Sequence, residues 1–235
     1  MFDEFEKEDD SWRPEPPKVA VIAKKAVGYL FAAFVIFIIG FLVIRSITSQ
    51  PPRAMKNVLW DETLYGAFQT EKAAGTTLKI DRINAPNSFS ESNMFSVYTI
   101  LYTPSVGQLQ VTVRYNERLL NYLAEDYPES AELVKAGKDV YTFNLTYRKD
   151  DTLHTVSSYE SVRDEKGGYT YYRLIFEGIT LEGVVDMTVN ACYVGRPEMP
   201  RESVTVYSSG YPVLPFDYKA PKGANKDVKA HTPAA

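Results

Sequence analysis

The chain has 235 residues, with 26 Lys and Arg against 30 Asp and Glu for a net charge of −4, 17 tyrosines against 2 tryptophans, and a single cysteine. One cysteine excludes an intramolecular disulfide, and two histidines beside it leave too few soft ligands for a zinc site. The acidic balance offers no basic patch, so nucleic acid is not expected as a partner, and cysteine poverty suits a bacterial envelope better than an oxidising secretory route.

Residues 1–23 open with the acidic MFDEFEKEDD and continue through Arg13-Pro14-Glu15-Pro16-Pro17-Lys18. So few aliphatic residues predict a disordered cytoplasmic tail that serves as a solvated spacer. Pro14 and Pro17 have PxxP spacing but lack a well-placed basic neighbour for docking.

Residues 24–46 read as a transmembrane signal-anchor helix. Its uncharged run Ala26 to Ile44, about 19 residues, suffices to cross about 30 Å of hydrocarbon at about 1.5 Å per residue. That exceeds the apolar region of a signal peptide, and no polar stripe marks a core helix. No second apolar run approaches this length, so a single-pass protein meeting the bilayer through Ala26–Ile44 is expected. Lys24-Lys25 favours a cytoplasmic N-terminus and an extracytoplasmic C-terminal domain in the cell membrane. Gly28, Ala32 and Gly40 fall on one ridge, the spacing of a helix-pairing seam, which makes a homodimer one reading and ordinary membrane-helix composition the other.

Residues 47–76 read as a stalk with Pro51-Pro52 and a loosely helical membrane-proximal segment. Trp60 and Tyr65 suit either the lipid interface or the underside of the next domain, and the second is preferred. Across residues 77–216 the period changes to alternation. Leu109, Val111, Val113 and Tyr115 oppose Gln108, Gln110, Thr112 and Arg114, predicting one apolar and one wet face. Tyr141, Phe143, Leu145 and Tyr147 oppose Thr142, Asn144, Thr146 and Arg148. Val185, Met187, Val189, Ala191 and Tyr193 oppose Asp186, Thr188 and Asn190. Turn-rich links predict three hairpins, Phe95–Tyr102 with Gln108–Tyr115, Tyr141–Arg148 with Leu153–Val162, and the latter with Tyr169–Phe176. Asn116 as cap predicts a short helix over Glu117 to Ala124, and Ser130 to Gly137 another turn. About eight strands imply a mainly β fold, an antiparallel β-sandwich of jelly-roll-like or Ig-like kind with one or two short helices. Residues 217–235 read as a disordered C-terminal tail.

No phosphate-binding glycine loop is present. His154 near Ser157 and Ser158 lacks a nucleophile elbow, Cys192 reads as a small strand residue, and Asp150-Asp151 and Asp164-Glu165 read as solvated hairpin carboxylates. No catalytic, metal or cofactor-binding residue is assigned and no cofactor is expected. Strand tyrosines are the remaining signal. Tyr169, Tyr171 and Tyr172, with Tyr98 and Tyr102, could stack on sugar rings or anchor a partner, against the simpler role of filling a core. The expected function is a non-enzymatic, membrane-anchored binding or assembly module for an envelope protein or glycan. The alternative is a membrane-tethered, glycan-acting surface hydrolase with a carboxylate pair, which folding could assemble without a local motif.

Overall fold

The structure is a computed structural model that describes residues 18–48, 50–86, 89–117, 120–157 and 159–222; residues 1–17 of the expected N-terminal tail and 223–235 of the C-terminal one lie outside them. The chain forms two compact units, Met1–Thr48 and Ser49–Ala235. In the first, α1 (Lys18–Thr48) is an unbroken helix of 31 residues. Its stretch Lys25–Ile47, 23 residues with mean hydropathy 2.8, is long and apolar enough to cross a membrane, and none of its side chains is buried within the protein. Pro51 and Pro52 lie just beyond its end, where a ring without an N–H cannot continue a helix.

The second unit is mainly β, with two antiparallel sheets. One has six strands in the order β10-β1-β2-β3-β7-β6, and the other four in the order β5-β4-β8-β9. The strands are β1 (Asp81–Ile83), β2 (Phe95–Thr103), β3 (Gln108–Asn116), β4 (Tyr141–Lys149), β5 (Thr152–Val156), β6 (Glu160–Lys166), β7 (Tyr169–Phe176), β8 (Val184–Tyr193), β9 (Pro200–Ser208) and β10 (Val213–Pro215). Alternation drives their assembly. Leu109, Val111, Val113 and Tyr115 of β3, Tyr172, Leu174 and Phe176 of β7, and Phe143, Leu145, Met187 and Val189 from the other sheet share one apolar core. Two short helices, α3 (Leu120–Asp126) and α4 (Ser130–Lys135), connect β3 to β4 and close one end of that core with Leu123.

Ahead of the sheets, a 3-10 turn at Arg53–Met55 and α2 (Glu62–Ala73) lie on the outer face of the six-stranded sheet. Residues expected as a stalk are packed there: Met55, Val58, Leu59, Trp60 and Leu64 are buried. Trp60 meets Phe68 and Tyr218 edge to face at 5.4 and 5.5 Å, forming a second small core with Leu78, Ile80 and Leu101. Tyr218, expected in a disordered tail, is thereby part of the fold.

The structure departs from the alternation in identifiable places. Gln108, Gln110 and Thr112, expected to be wet, are buried beneath the segment around Met55 to Asp61. Leu153–Val162, expected as one strand, is β5 and β6 in different sheets. Val185, expected inside, is 46% exposed and Val184 is buried instead, because a register shift between Arg148 and Lys149 resets the pairing there. Asn116, expected to cap a helix, is the last residue of β3, and α3 starts at Leu120.

Two hairpins close through two-residue loops with both central residues in the left-handed region. The β6–β7 loop uses Gly167 (φ 63°) and Gly168 (φ 76°), whereas the β4–β5 loop uses Asp150 (φ 49°) and Asp151 (φ 60°). A side chain in that region costs about 1–2 kcal/mol, partly offset by the greater chain entropy of glycine. Replacing Asp150→Asn and Asp151→Gly is therefore expected to raise the unfolding free energy by about 0.5–1 kcal/mol in guanidinium titrations; an unchanged or lower midpoint would contradict this.

Candidate functional site

The outer face of the six-stranded sheet carries a group of aromatic and cationic side chains. A bulge in β2 adjoins it. Val97 of β2 pairs with Val113 and Thr99 with Thr112, which leaves Tyr98 as the extra residue. Its ring stays with Ser96 on the outer face, two residues along the strand. Arg114, opposite Ser96 on β3, places its guanidinium carbon 4.7 Å from the Tyr98 ring centre and 4.1 Å from that of Tyr169. Its Nε donates to Ser96 Oγ at 3.0 Å. Tyr171, fully buried, lies 6.2 Å from Tyr98 and 6.5 Å from Tyr169. A guanidinium between two partly exposed rings gains about 0.5–1 kcal/mol per ring, more where water is excluded. Burial raises the Tyr98 hydroxyl above 10.0 and the nearby Arg114 lowers it, with burial the larger effect, so the phenol stays neutral and able to donate.

Three of the five tyrosines singled out in the sequence thus come together. Tyr172 and Tyr102 do not. Tyr172 neighbours Tyr171 and so points to the opposite face, where its hydroxyl donates to Asp139 Oδ1 at 2.7 Å and burial drives its pKa far up. Tyr102 would share a face with Tyr98 in a regular strand. The bulge inverts that parity and turns Tyr102 into the core, its hydroxyl donating to the Ile179 carbonyl at 3.2 Å.

Beside the cluster lies a concavity of about 290 Å³. It opens because β1 pairs with β2 only at Asp81 and Arg82, after which the chain leaves the sheet edge and returns at Phe89, opposite Ser96. Arg82, Asn84, Phe89, Ser96, Tyr98 and Ile100 are among its walls, and among the described residues no carboxylate is. Ser96 and Tyr98 belong to both features. Arg114, Ser96 and Phe89 carried no distinguishing mark in the sequence, since an arginine on the polar side of a strand is ordinary.

The rest of this face is closed by a strap, residues 50–61, through a belt of buried polar groups. Gln110 acts as a surrogate strand, accepting from Leu59 N at 3.0 Å and donating to Leu59 O at 2.7 Å. Gln108 donates to Asp61 Oδ2 at 2.5 Å, and Asp61 also caps α2 by accepting from Leu64 N at 2.7 Å. Thr112 donates to the Met55 carbonyl. Arg173, 1% exposed, donates to that same carbonyl, to Asn57 O at 3.0 Å and to Gln110 Oε1 at 3.3 Å. No carboxylate among the described residues pairs with it, and burial holds its pKa down to about 9, still protonated at neutral pH.

Other candidates are absorbed structurally. His154 stacks on Tyr147 at 5.0 Å, and Ser158 lies outside the described residues. The Cys192 thiol is buried, receives a hydrogen bond from Asn144 Nδ2 at 3.6 Å and is pushed above its usual pKa by burial, the reverse of an activated nucleophile. A Cβ added at Gly28 or Gly40 of α1 would meet nothing within 4 Å. Among the described residues no three or more His, Cys, Asp or Glu side chains gather as a metal site. No protein-family model, curated protein or solved structure matches the chain.

Two outcomes follow from the strap. Arg173→Ala leaves two backbone carbonyls short of a charged donor and is expected to lower the unfolding free energy by about 3 kcal/mol, followed by Trp60 fluorescence in a Trp12→Phe background. Arg173→Lys should recover only part, because one ammonium cannot reproduce the fork. The second concerns Asp61, whose carboxyl is raised above 3.8 chiefly by burial, with Glu177 adding to the rise and hydrogen bonds from Leu64, Gln108 and Thr63 opposing it. The folded protein holds this proton more tightly than the unfolded chain, so the group's stabilisation is full below pH 3.8 and is lost as pH rises through the raised value. Asp61→Asn keeps a capping oxygen and removes the titration. Its stability relative to the native chain should therefore improve from acidic to neutral pH; a pH-independent difference would contradict the account.

Proposed function

We propose that this chain is a single-pass protein of a bacterial cell membrane, its N-terminus cytoplasmic and its Ser49–Ala235 unit extracytoplasmic, and that this unit is a non-enzymatic binding or assembly module for an envelope glycan or protein. The two sheets enclosing one core support a sandwich of the jelly-roll-like or Ig-like kind as its scaffold. The apolar segment Lys25–Ile47 and the Lys24-Lys25 pair before it support the anchor and its direction.

The observation that carries the reading is Arg114 held between Tyr98 and Tyr169, next to a concavity whose wall Tyr98 shares. Ring faces suit the C–H faces of a sugar or an extended peptide, and the arginine and asparagine of the wall suit carbonyl, hydroxyl or carboxylate groups. At about 290 Å³ the space lies at the lower edge of ligand pockets, so it fits one short stretch of a polymer better than a large isolated molecule.

The test is retention of the full chain in lipid nanodiscs on a glycan array and on immobilised envelope peptides. Native protein is expected to be retained, and Tyr98→Ala and Arg114→Ala each to weaken binding about tenfold, equivalent to about 1.4 kcal/mol. No retention of folded protein on either surface, or retention indifferent to both substitutions, contradicts the reading.

A further inference from the structure

The strand register gathers four connections at one end of the second unit. Phe95 pairs with Tyr115, Asn116 with Tyr169 and Tyr141 with Tyr193, so residues 84–94, 117–140, 167–168 and 194–199 all emerge there. Tyr115 and Tyr141, with ring centres 5.1 Å apart, join the two sheets at this end. The connections 104–107, 150–151 and 177–183 emerge at the other, while 209–212 crosses between the sheets and meets Asn84 through Pro212 O at 2.9 Å.

The two ends differ in what they expose. Phe89 (53% exposed), Tyr122 (53%), Val134 (41%) and Met199 (54%) all belong to the first end. The remaining exposed large apolar residues of this unit, Leu153, Val185, Val213 and Leu214, lie in strands, and among the described residues no connection at the opposite end contributes one.

The first end also receives the chain from the apolar segment. Lys166, the last residue of β6, donates from Nζ to the Gln50 carbonyl at 3.1 Å, and Gln50 follows Ile47, where the apolar stretch closes, by only three residues. Three residues reach at most about 10 Å, whatever the set of the helix. Beyond Gln50 the strap runs away from this end, meeting Thr112, then Gln110, then Gln108.

We propose that this end of the domain is a lipid-seating surface, with Phe89, Tyr122, Val134 and Met199 entering the interfacial zone of the bilayer. Charge defines which lipid property it uses. The four connections carry eight carboxylates against four basic residues, so attraction to anionic headgroups is not the cause and apolar and aromatic insertion is. The occupant is the interface of a zwitterionic bilayer. A nine-residue strand keeps the opposite end about 30 Å farther out.

The experiment uses the full chain in phosphatidylcholine nanodiscs containing lipid with a nitroxide near the headgroup, and a bimane on single introduced cysteines. Cys192 is fully buried and stays unlabelled, while the chosen sites, Glu91→Cys and Met199→Cys at the seating end and Ser105→Cys and Thr180→Cys at the other, are exposed and outside the core. Nitroxide quenching acts near contact, so the first pair is expected to be quenched roughly threefold or more above the second, given a separation of about 30 Å. Quenching at positions 91 and 199 no greater than at 105 and 180 overturns the proposal.

Discussion

A protonated guanidinium enclosed between a sheet and a strap is the constraint on which the rest of this domain depends. Arg173 is buried with backbone carbonyls and an amide oxygen as its partners, and desolvation acts against its charge. Such a group is tolerable only while Met55 and Asn57 present their carbonyls to it. Gln110 adds a second requirement, because its buried amide finds both its donor and its acceptor partner on Leu59. The sheet is thus complementary to a strap in one position. A segment that follows the apolar helix by a few residues becomes a structural layer of the domain.

That layer shapes the candidate site by covering part of the face and leaving the rest open. Tyr171 is enclosed, Tyr98, Arg114 and Tyr169 remain half-exposed, and the splaying of β1 from β2 adds a hollow beside them. One extra residue in β2 decides which tyrosines share this face. Without the bulge, Tyr102 would lie on the outer face with Tyr98 instead of in the core.

How much of this was legible in the sequence follows from the range of the interactions. The apolar helix was readable because its signal is local and continuous. The apolar sides of β3 and β4 were readable because a two-residue period reports directly on which face is buried. The polar sides were not. Gln108, Gln110 and Thr112 look wet in any single-strand reading, and only partners 47 to 57 residues earlier in the chain turn them into buried belt residues. Tyrosine content drew attention to Tyr98, Tyr169 and Tyr171, which lie together, and to Tyr102 and Tyr172, which do not join them. Alternation beside Tyr171 sets Tyr172 apart, but nothing in the composition could set Tyr102 apart, since a bulge leaves no compositional trace. Arg114 was seen as a polar-face residue and Arg173 was not noticed, because burial of a charge depends on what packs over it.

The strap is the central claim, and amide hydrogen exchange on the full chain in nanodiscs measures it most directly. If Gln110 and Arg173 hold the strap as a layer, amides of the Met55–Leu64 peptide, including those of Leu59 and Leu64 that donate to Gln110 and Asp61, exchange as slowly as those of β3. If this peptide exchanges like an exposed linker while β3 stays protected, the segment is a stalk and the account fails.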